Sequence, residues 1–209
     1  MILGVAQIVV NVADLDGAAA PLLAAGFQES FRAIALPNHA HKRPVQSGDR
    51  ETLDMAHLTP AGGVAIELTA YAGAPPAGAT VYTLKDAELT LTASDPGAST
   101  RFWAQLGFAE TAPGRLENRA MLPAWRLTIT VEPATAERSP RTTVDADGCV
   151  LVTVLTTNVE QELARLLDTG FLLRSTAAWT EQIADRSPTV AIVEGPSGEL
   201  VELLQAPKR

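Results

Sequence analysis

Three times along this chain an Asp or Asn stands twelve residues ahead of a Gly-Phe pair: Asp14 before Gly26, Asp95 before Gly107 and Asn158 before Gly170. A spacing kept at three places constrains the fold more than any single motif, because each copy has to build the same local unit. Ahead of each Asp or Asn runs an alternating, β-branched stretch such as "AQIVVNVAD", which reads as a half-buried strand. The Asp or Asn then suits a helix N-cap, where its side chain accepts backbone N–H groups. Apolar residues follow at helical spacing: Leu22 and Leu23; Phe102, Trp103 and Leu106; Leu163, Leu166 and Leu167. The Gly suits a left-handed C-cap, and the Phe starts the next strand.

Further strands are predicted after each pair. They are "FQESFRAIAL", "TLDMAHLT" and "GVAIELTAY" in the first copy, and "FAETA", "RLENRAML" and "RLTITVEP" in the second. The third copy offers "FLLRST", a short strand around Trp179, "PTVAIVEG" and "ELVELLQA". The fold class is therefore α+β, with βαβββ modules over 1–74, 80–133 and 148–206. Two stretches read as connectors: "AGAPPAGA" at 72–79 and "PATAERSPRTTVDADG" at 133–148, the second long enough to be mobile.

Composition excludes several classes. At 46% hydrophobic and 19% charged residues, 209 residues make a globular chain with ample core. A formal charge of −8 argues against a nucleic-acid partner, which needs clustered Lys and Arg, and would suit a cationic ligand. Cys149 is the single cysteine, so no internal disulfide forms, as expected in a reducing cytoplasm. It has no basic neighbour or His partner and is rejected as a nucleophile. The apolar N-terminus ends at Asp14 without a basic start or small-residue cleavage site. It reads as a buried strand, not a signal peptide or a membrane span.

A βαβββ unit carrying "VADLDGAAAPLLAAGF" or "SDPGASTRFWAQLGF", finished by "GPSGELVELLQ", resembles the vicinal oxygen chelate superfamily. That family includes glyoxalase I, the bleomycin-resistance proteins, extradiol dioxygenases and methylmalonyl-CoA epimerase. The resemblance implies that paired modules curve their mixed sheets into an open half-barrel around a ligand cavity. It also implies a place for a divalent metal ion, with one ligand from the first strand and one from the last strand of each paired module. The first-strand position falls nineteen residues before each Gly, at Gln7, Glu88 and Leu151. The last-strand position falls at Glu67 and Glu202, while the middle copy offers Ile129. Gln7, Glu67 and Glu88 together make three ligands. No pairing of two copies makes four, and no first-strand position is a His, so the balance is against a bound metal.

The activity implied is a lyase or isomerase acting on a small oxygenated metabolite. Glu67 would be the base, with Gln7 beside it and Glu88 or Glu202 across the cavity. The alternative is a binding protein resembling the bleomycin-resistance group, sequestering a drug or metabolite without turnover. An extradiol dioxygenase would want two His and a carboxylate, which this ligand set lacks. Asn11 shares a strand face with Gln7 and joins the expected pocket, as do Trp125 and Trp179. His57 alternates with Met55 and is equally a core histidine or a pocket group. His39 and His41 in "PNHAHKRP" read as an exposed loop, with Lys42 and Arg43 in solvent. Arg119 and Arg174 read as solvated strand edges rather than carboxylate anchors. Three modules leave one unpaired. It either stacks on the other two or meets its counterpart in a second chain, and a homodimer is the expectation.

Overall fold

The computed structural model describes residues 1–73, 80–85, 88–120, 122–135, 142–183 and 186–207. Positions 74–79 of the first predicted connector and 136–141 of the second lie outside the described residues.

The first segment runs β1 (Ile2–Asn11), α1 (Leu15–Ala24), β2 (Gln28–Pro37), β3 (Thr52–Thr59) and β4 (Ala65–Tyr71), with strand order β1-β4-β3-β2. The middle segment has β5 (Tyr82–Lys85), β6 (Glu88–Ala93), α2 (Pro96–Gln105), β7 (Phe108–Ala112), β8 (Arg115–Asn118) and β9 (Thr128–Pro133). Its order is β5-β6-β9-β8-β7, where β5 is a strand the sequence reading did not single out. The last segment has β10 (Gly148–Thr156), α3 (Val159–Asp168), β11 (Leu172–Leu173), β12 (Trp179–Thr180), β13 (Thr189–Glu194) and β14 (Leu200–Gln205). In each segment the strand before the helix pairs in parallel with the segment's final strand: β1 with β4, β6 with β9, and β10 with β14.

The helix boundaries follow from the cap chemistry. Asp14 accepts from the backbone N–H of Asp16 and Gly17, Asp95 from that of Ala98, and Asn158 from that of Gln161. Gly26, Gly107 and Gly170 hold φ of +92°, +87° and +90°, a region that costs other residues about 1–2 kcal/mol.

The first and last segments share one nine-stranded sheet, joined where β1 and β10 run antiparallel, with Ile8 opposite Val152. The middle segment makes a separate five-stranded sheet. Its Leu89, Leu91, Phe102, Trp103 and Ile129 form one core with Val5, Ile8, Val152, Val201 and Leu203 of the large sheet. The Tyr82 hydroxyl ties the two sheets, donating to the Leu200 carbonyl at 3.1 Å. The middle segment thus stacks on the helix-bearing face of the other two, and the apolar surface expected to need a second chain is buried within this one. Stacking within the chain is the arrangement taken by the module left over, one of the two expected for it.

Strand alternation gives the large sheet two different faces. Ile8, Val152, Val201 and Leu203 face the core, and Ile66 and Leu68 pack with α1. Gln7, Glu67 and Glu202 point to the other face and line a cavity. Among the described residues no helix is long and apolar enough to cross a membrane.

Candidate functional site

The cavity holds about 500 Å³, walled by Gln7 of β1, Met55 and His57 of β3, Glu67 of β4 and Glu202 of β14. A second, smaller space of about 30 Å³ is lined by Thr69, Tyr71 and Leu151 among others. Lys42, Glu67 and Glu202 line both spaces.

Each carboxylate is held by a neighbour from the paired strand. Gln7 Nε2 donates to Glu67 Oε2 at 2.6 Å, and Thr153 Oγ1 donates to Glu202 Oε1 at 3.2 Å. The two glutamates occupy matching places in segments joined at β1–β10. Burial pushes the Glu67 carboxyl up to about 7, against the opposing pull of Lys42 and the Gln7 hydrogen bond. Burial likewise pushes Glu202 up to about 8, with Lys42 lowering it and Glu67 raising it. Tyr71, beneath them, is pushed up to about 12 by burial.

Lys42 is the residue that sequence reasoning misplaced. The stretch between β2 and β3 folds as a 3₁₀ helix, Ala40–Val45, rather than an exposed loop, and Lys42 is buried. Contacts from the last segment and the stretch before it hold this helix down. Val144 N–H donates to the Val45 carbonyl at 2.8 Å, and the Arg174 guanidinium to the Pro44 carbonyl at 3.1 Å. Asp145 accepts from Ser47 N–H at 2.9 Å, Ser47 Oγ at 2.6 Å and Arg50 Nε at 3.1 Å. The end of the predicted mobile connector is therefore packed: Thr142, Val144, Asp145 and Ala146 are all buried.

So clamped, Lys42 Nζ lies 3.4 Å from Glu181 Oε2 and 5.9 Å from the centre of the Trp179 ring. Trp179 Nε1 donates to the same Glu181 oxygen. Burial alone would pull the lysine pKa down. Glu181, Tyr71, Glu202 and Glu67 around it more than offset that and hold it above the usual range.

The remaining expected residues divide. His57 and Trp125 do line the cavity. His57 Nδ1 bonds Ser30 Oγ at 2.7 Å, and burial, with Arg186 nearby, lowers its pKa. Trp125 arrives from the middle segment because Gly4 lets it approach β1; a Cβ on Gly4 would sit 2.8 Å from the Trp125 Cβ. Asn11 does not reach the cavity. It is fully buried, donates to the Asp145 carbonyl at 2.8 Å and accepts from Thr69, so its role is to pin the backbone. Trp179 is buried under the site, stacked on His39 at 5.7 Å, while His39 stacks on His41 at 4.9 Å. Arg174 is buried against Glu194 rather than solvated, whereas Arg119 is exposed. The Cys149 thiol, buried, is pushed up to about 12 and is no nucleophile.

Glu88 is misplaced by the sequence pattern. It stands on the five-stranded sheet, exposed, 3.9 Å from Arg115, because the first segment pairs with the third and not the second. The expected set of Gln7, Glu67 and Glu88 therefore does not assemble. Among the described residues no three His, Cys, Asp or Glu converge as metal ligands. A fixed ammonium already stands among Glu67, Glu181 and Glu202, and a second cation beside it would be repelled. The residues do not fit a divalent ion.

No family model and no curated protein matches the chain. Solved structures do resemble it. Methylmalonyl-CoA epimerase from Mycobacterium tuberculosis is 14% identical with a TM-score of 0.49, over 99% of this chain and 90% of that one. The neighbours are vicinal oxygen chelate enzymes. A Streptomyces coelicolor methylmalonyl-CoA epimerase variant in complex with 2-nitronate-propionyl-CoA is 12% identical, with a TM-score of 0.46 over all of both chains. Glyoxalase I from Zea mays is 14% identical, with a TM-score of 0.42 over 97% of this chain and 67% of that one. Each is a likeness of backbone arrangement alone.

Proposed function

We propose that this chain is a lyase or isomerase of the vicinal oxygen chelate kind, moving a proton on a small oxygenated substrate. In this reading three βαβββ modules, 1–74, 80–133 and 148–206, form the protein, and the first and third enclose a half-barrel cavity. The observation that carries it is the pair of carboxyls, Glu67 half-buried and Glu202 buried, each oriented by a neighbouring side chain and both facing one cavity.

Proton transfer works best when the group's pKa lies near the working pH. With pKa values of about 7 and about 8, Glu67 is the better base and Glu202 the better acid near neutrality. Glu67 takes a proton from the carbon beside a carbonyl, and Glu202 returns one. Arrival of the substrate displaces water, which keeps the intermediate from being quenched by solvent.

Proton exchange in D2O across a panel of small 2-hydroxy and 2-oxo acids, read by NMR, tests this. Exchange should be present with the native chain and lost in Glu67→Gln and in Glu202→Gln. A second reading, sequestration without turnover, is favoured by the apolar wall of Phe31, Trp125 and Val190. Tight binding with no exchange for any bound compound would select it.

A further inference from the structure

We propose that Lys42 Nζ is the cavity's oxyanion anchor, holding the carboxylate or carbonyl oxygen of a small anionic substrate.

Position is the first support. Lys42 lines both the main cavity and the smaller space, together with Glu67 and Glu202. Its side chain is buried against the space a ligand enters rather than exposed on the surface. Among the described residues its one ion-pair partner is Glu181, at 3.4 Å, so an ammonium with three donors keeps capacity for a ligand oxygen.

Preorganisation is the second. The 3₁₀ helix that carries Lys42 is tied to the last segment through Val45, Pro44 and Ser47. Glu181, its counter-ion, is in turn held by Trp179. A donor fixed before the reaction need not reorganise when charge develops, and in a water-poor site such a donor is worth far more than in solvent.

Charge balance names the ligand. Lys42 pairs with Glu181, and Arg186 adds a further positive charge on the cavity lining. Two cationic side chains on the lining, Lys42 and Arg186, fit a small carbonyl acid that carries a carboxylate. The cationic ligand suggested by the overall −8 charge does not fit a cavity lined by the Lys42 ammonium and Arg186.

The step closes as follows. Ionised Glu67 takes the proton from the carbon beside the carbonyl. The C–H electron pair becomes the carbon–carbon double bond, and the carbonyl π pair moves onto oxygen, which lies against Lys42 Nζ as an enolate. Protonated Glu202 returns a proton to carbon, and the oxygen pair re-forms the carbonyl. Water then exchanges the proton gained by Glu67 for the one lost by Glu202. This enolate role rests on the isomerase reading; the oxyanion site itself does not.

The test uses oxalate, a planar mimic of such an enolate, and its uncharged analogue oxamide, titrated into the full chain treated with EDTA. Calorimetry follows binding, and the side-chain ¹⁵N signal of Lys42, one of three lysines, follows contact. Oxalate should bind without metal, move the Lys42 signal, and bind at least tenfold more tightly than oxamide. Lys42→Met should weaken oxalate at least tenfold. If that variant does not fold, the native chain still decides. Binding that requires added Mn²⁺, or an unmoved Lys42 signal, overturns the proposal. Oxalate bound at Lys42 with no proton exchange on any carbonyl acid would instead remove the isomerase reading and leave the oxyanion site standing.

Discussion

Gln7 Nε2 donates to Glu67 Oε2 at 2.6 Å, linking β1 to β4 on the cavity face. In the parallel register Gln7 stands beside Ala65 and Val9 beside Glu67, so the bond runs diagonally between adjacent strands. The amide fixes one carboxylate oxygen. Among the described residues the other oxygen has no hydrogen-bond partner, which suits a group that must accept a proton from a ligand.

Glu67→Ala should therefore abolish activity or ligand binding while moving the melting temperature little. Its side chain contacts ligand space rather than the core, and the residues packed behind it, Ile66 and Leu68, are untouched. The expected loss is at least about 100-fold in rate, the scale of removing a general base, with melting shifted by no more than about 3 °C. Melting curves beside exchange kinetics decide it. Reduced stability with function kept would make Glu67 a structural residue.

Stability should fall as pH rises above neutrality. Glu67 and Glu202 are raised from 4.5 to about 7 and about 8, so the folded chain keeps protons that the unfolded chain has released. That stabilisation is whole below about 4.5 and is lost as pH climbs through the two folded values. Melting temperature should drop on the order of 5 °C between pH 6 and pH 9. The Glu67→Gln/Glu202→Gln double variant should flatten that slope. A native melting temperature that rises over the same range would show both carboxyls ionised at neutrality.

Gly4→Ala should damage the cavity from outside it. Gly4 has φ of +151°, and a Cβ there would meet the Cβ atoms of Trp125 at 2.8 Å and Ala120 at 2.9 Å. Overpacking of this kind costs about 1–3 kcal/mol. The short 3₁₀ turn carrying Trp125 has to back away from β1, and Trp125 is part of the cavity wall. We expect a lower melting temperature, a shifted tryptophan emission and weaker ligand binding. Native-like values of all three would mean the turn absorbs the methyl without moving.

The three βαβββ units are legible in the sequence because their signals are local. Cap side chains, a Gly obliged to take positive φ, and period-two strands each act within a dozen residues. Which units pair is not legible. The choice of β1–β10 is settled by packing between residues some 140 positions apart, such as Ile8 and Val152, which no local signal specifies. That is why Glu88 falls in the wrong place and Glu202 in the right one. Lys42 is hidden for another reason: lysine is almost never buried unless paired, and its partner, Glu181, is too distant in sequence to signal the pairing. The one local hint is Val45, an apolar residue fully buried in a stretch otherwise polar.

The clamp that buries Lys42 makes the last prediction. Asp145 is fully buried and carries Ser47 and Arg50, while the neighbouring Val144 N–H holds the Val45 carbonyl. Burial alone would raise the Asp145 pKa, but the hydrogen bonds from Ser47, Thr143 and Arg50 outweigh it and hold the carboxyl below 3.8. Its contribution is therefore present above 3.8 and is lost as pH falls through the lower folded value. Asp145→Ala removes one partner of a buried ion pair and leaves Arg50, largely buried itself, without its carboxylate. Such a break costs about 3–5 kcal/mol, a melting-temperature loss on the order of 10 °C at this chain length. The loss should be accompanied by weaker oxalate binding, because the 3₁₀ helix no longer holds Lys42 over Glu181. Arg50→Met at the same pH should reproduce part of both effects, since it leaves Asp145 its two Ser47 hydrogen bonds. Lower stability with oxalate affinity unchanged in both variants would show that the clamp serves folding alone and that Lys42 is positioned by Glu181 and Trp179.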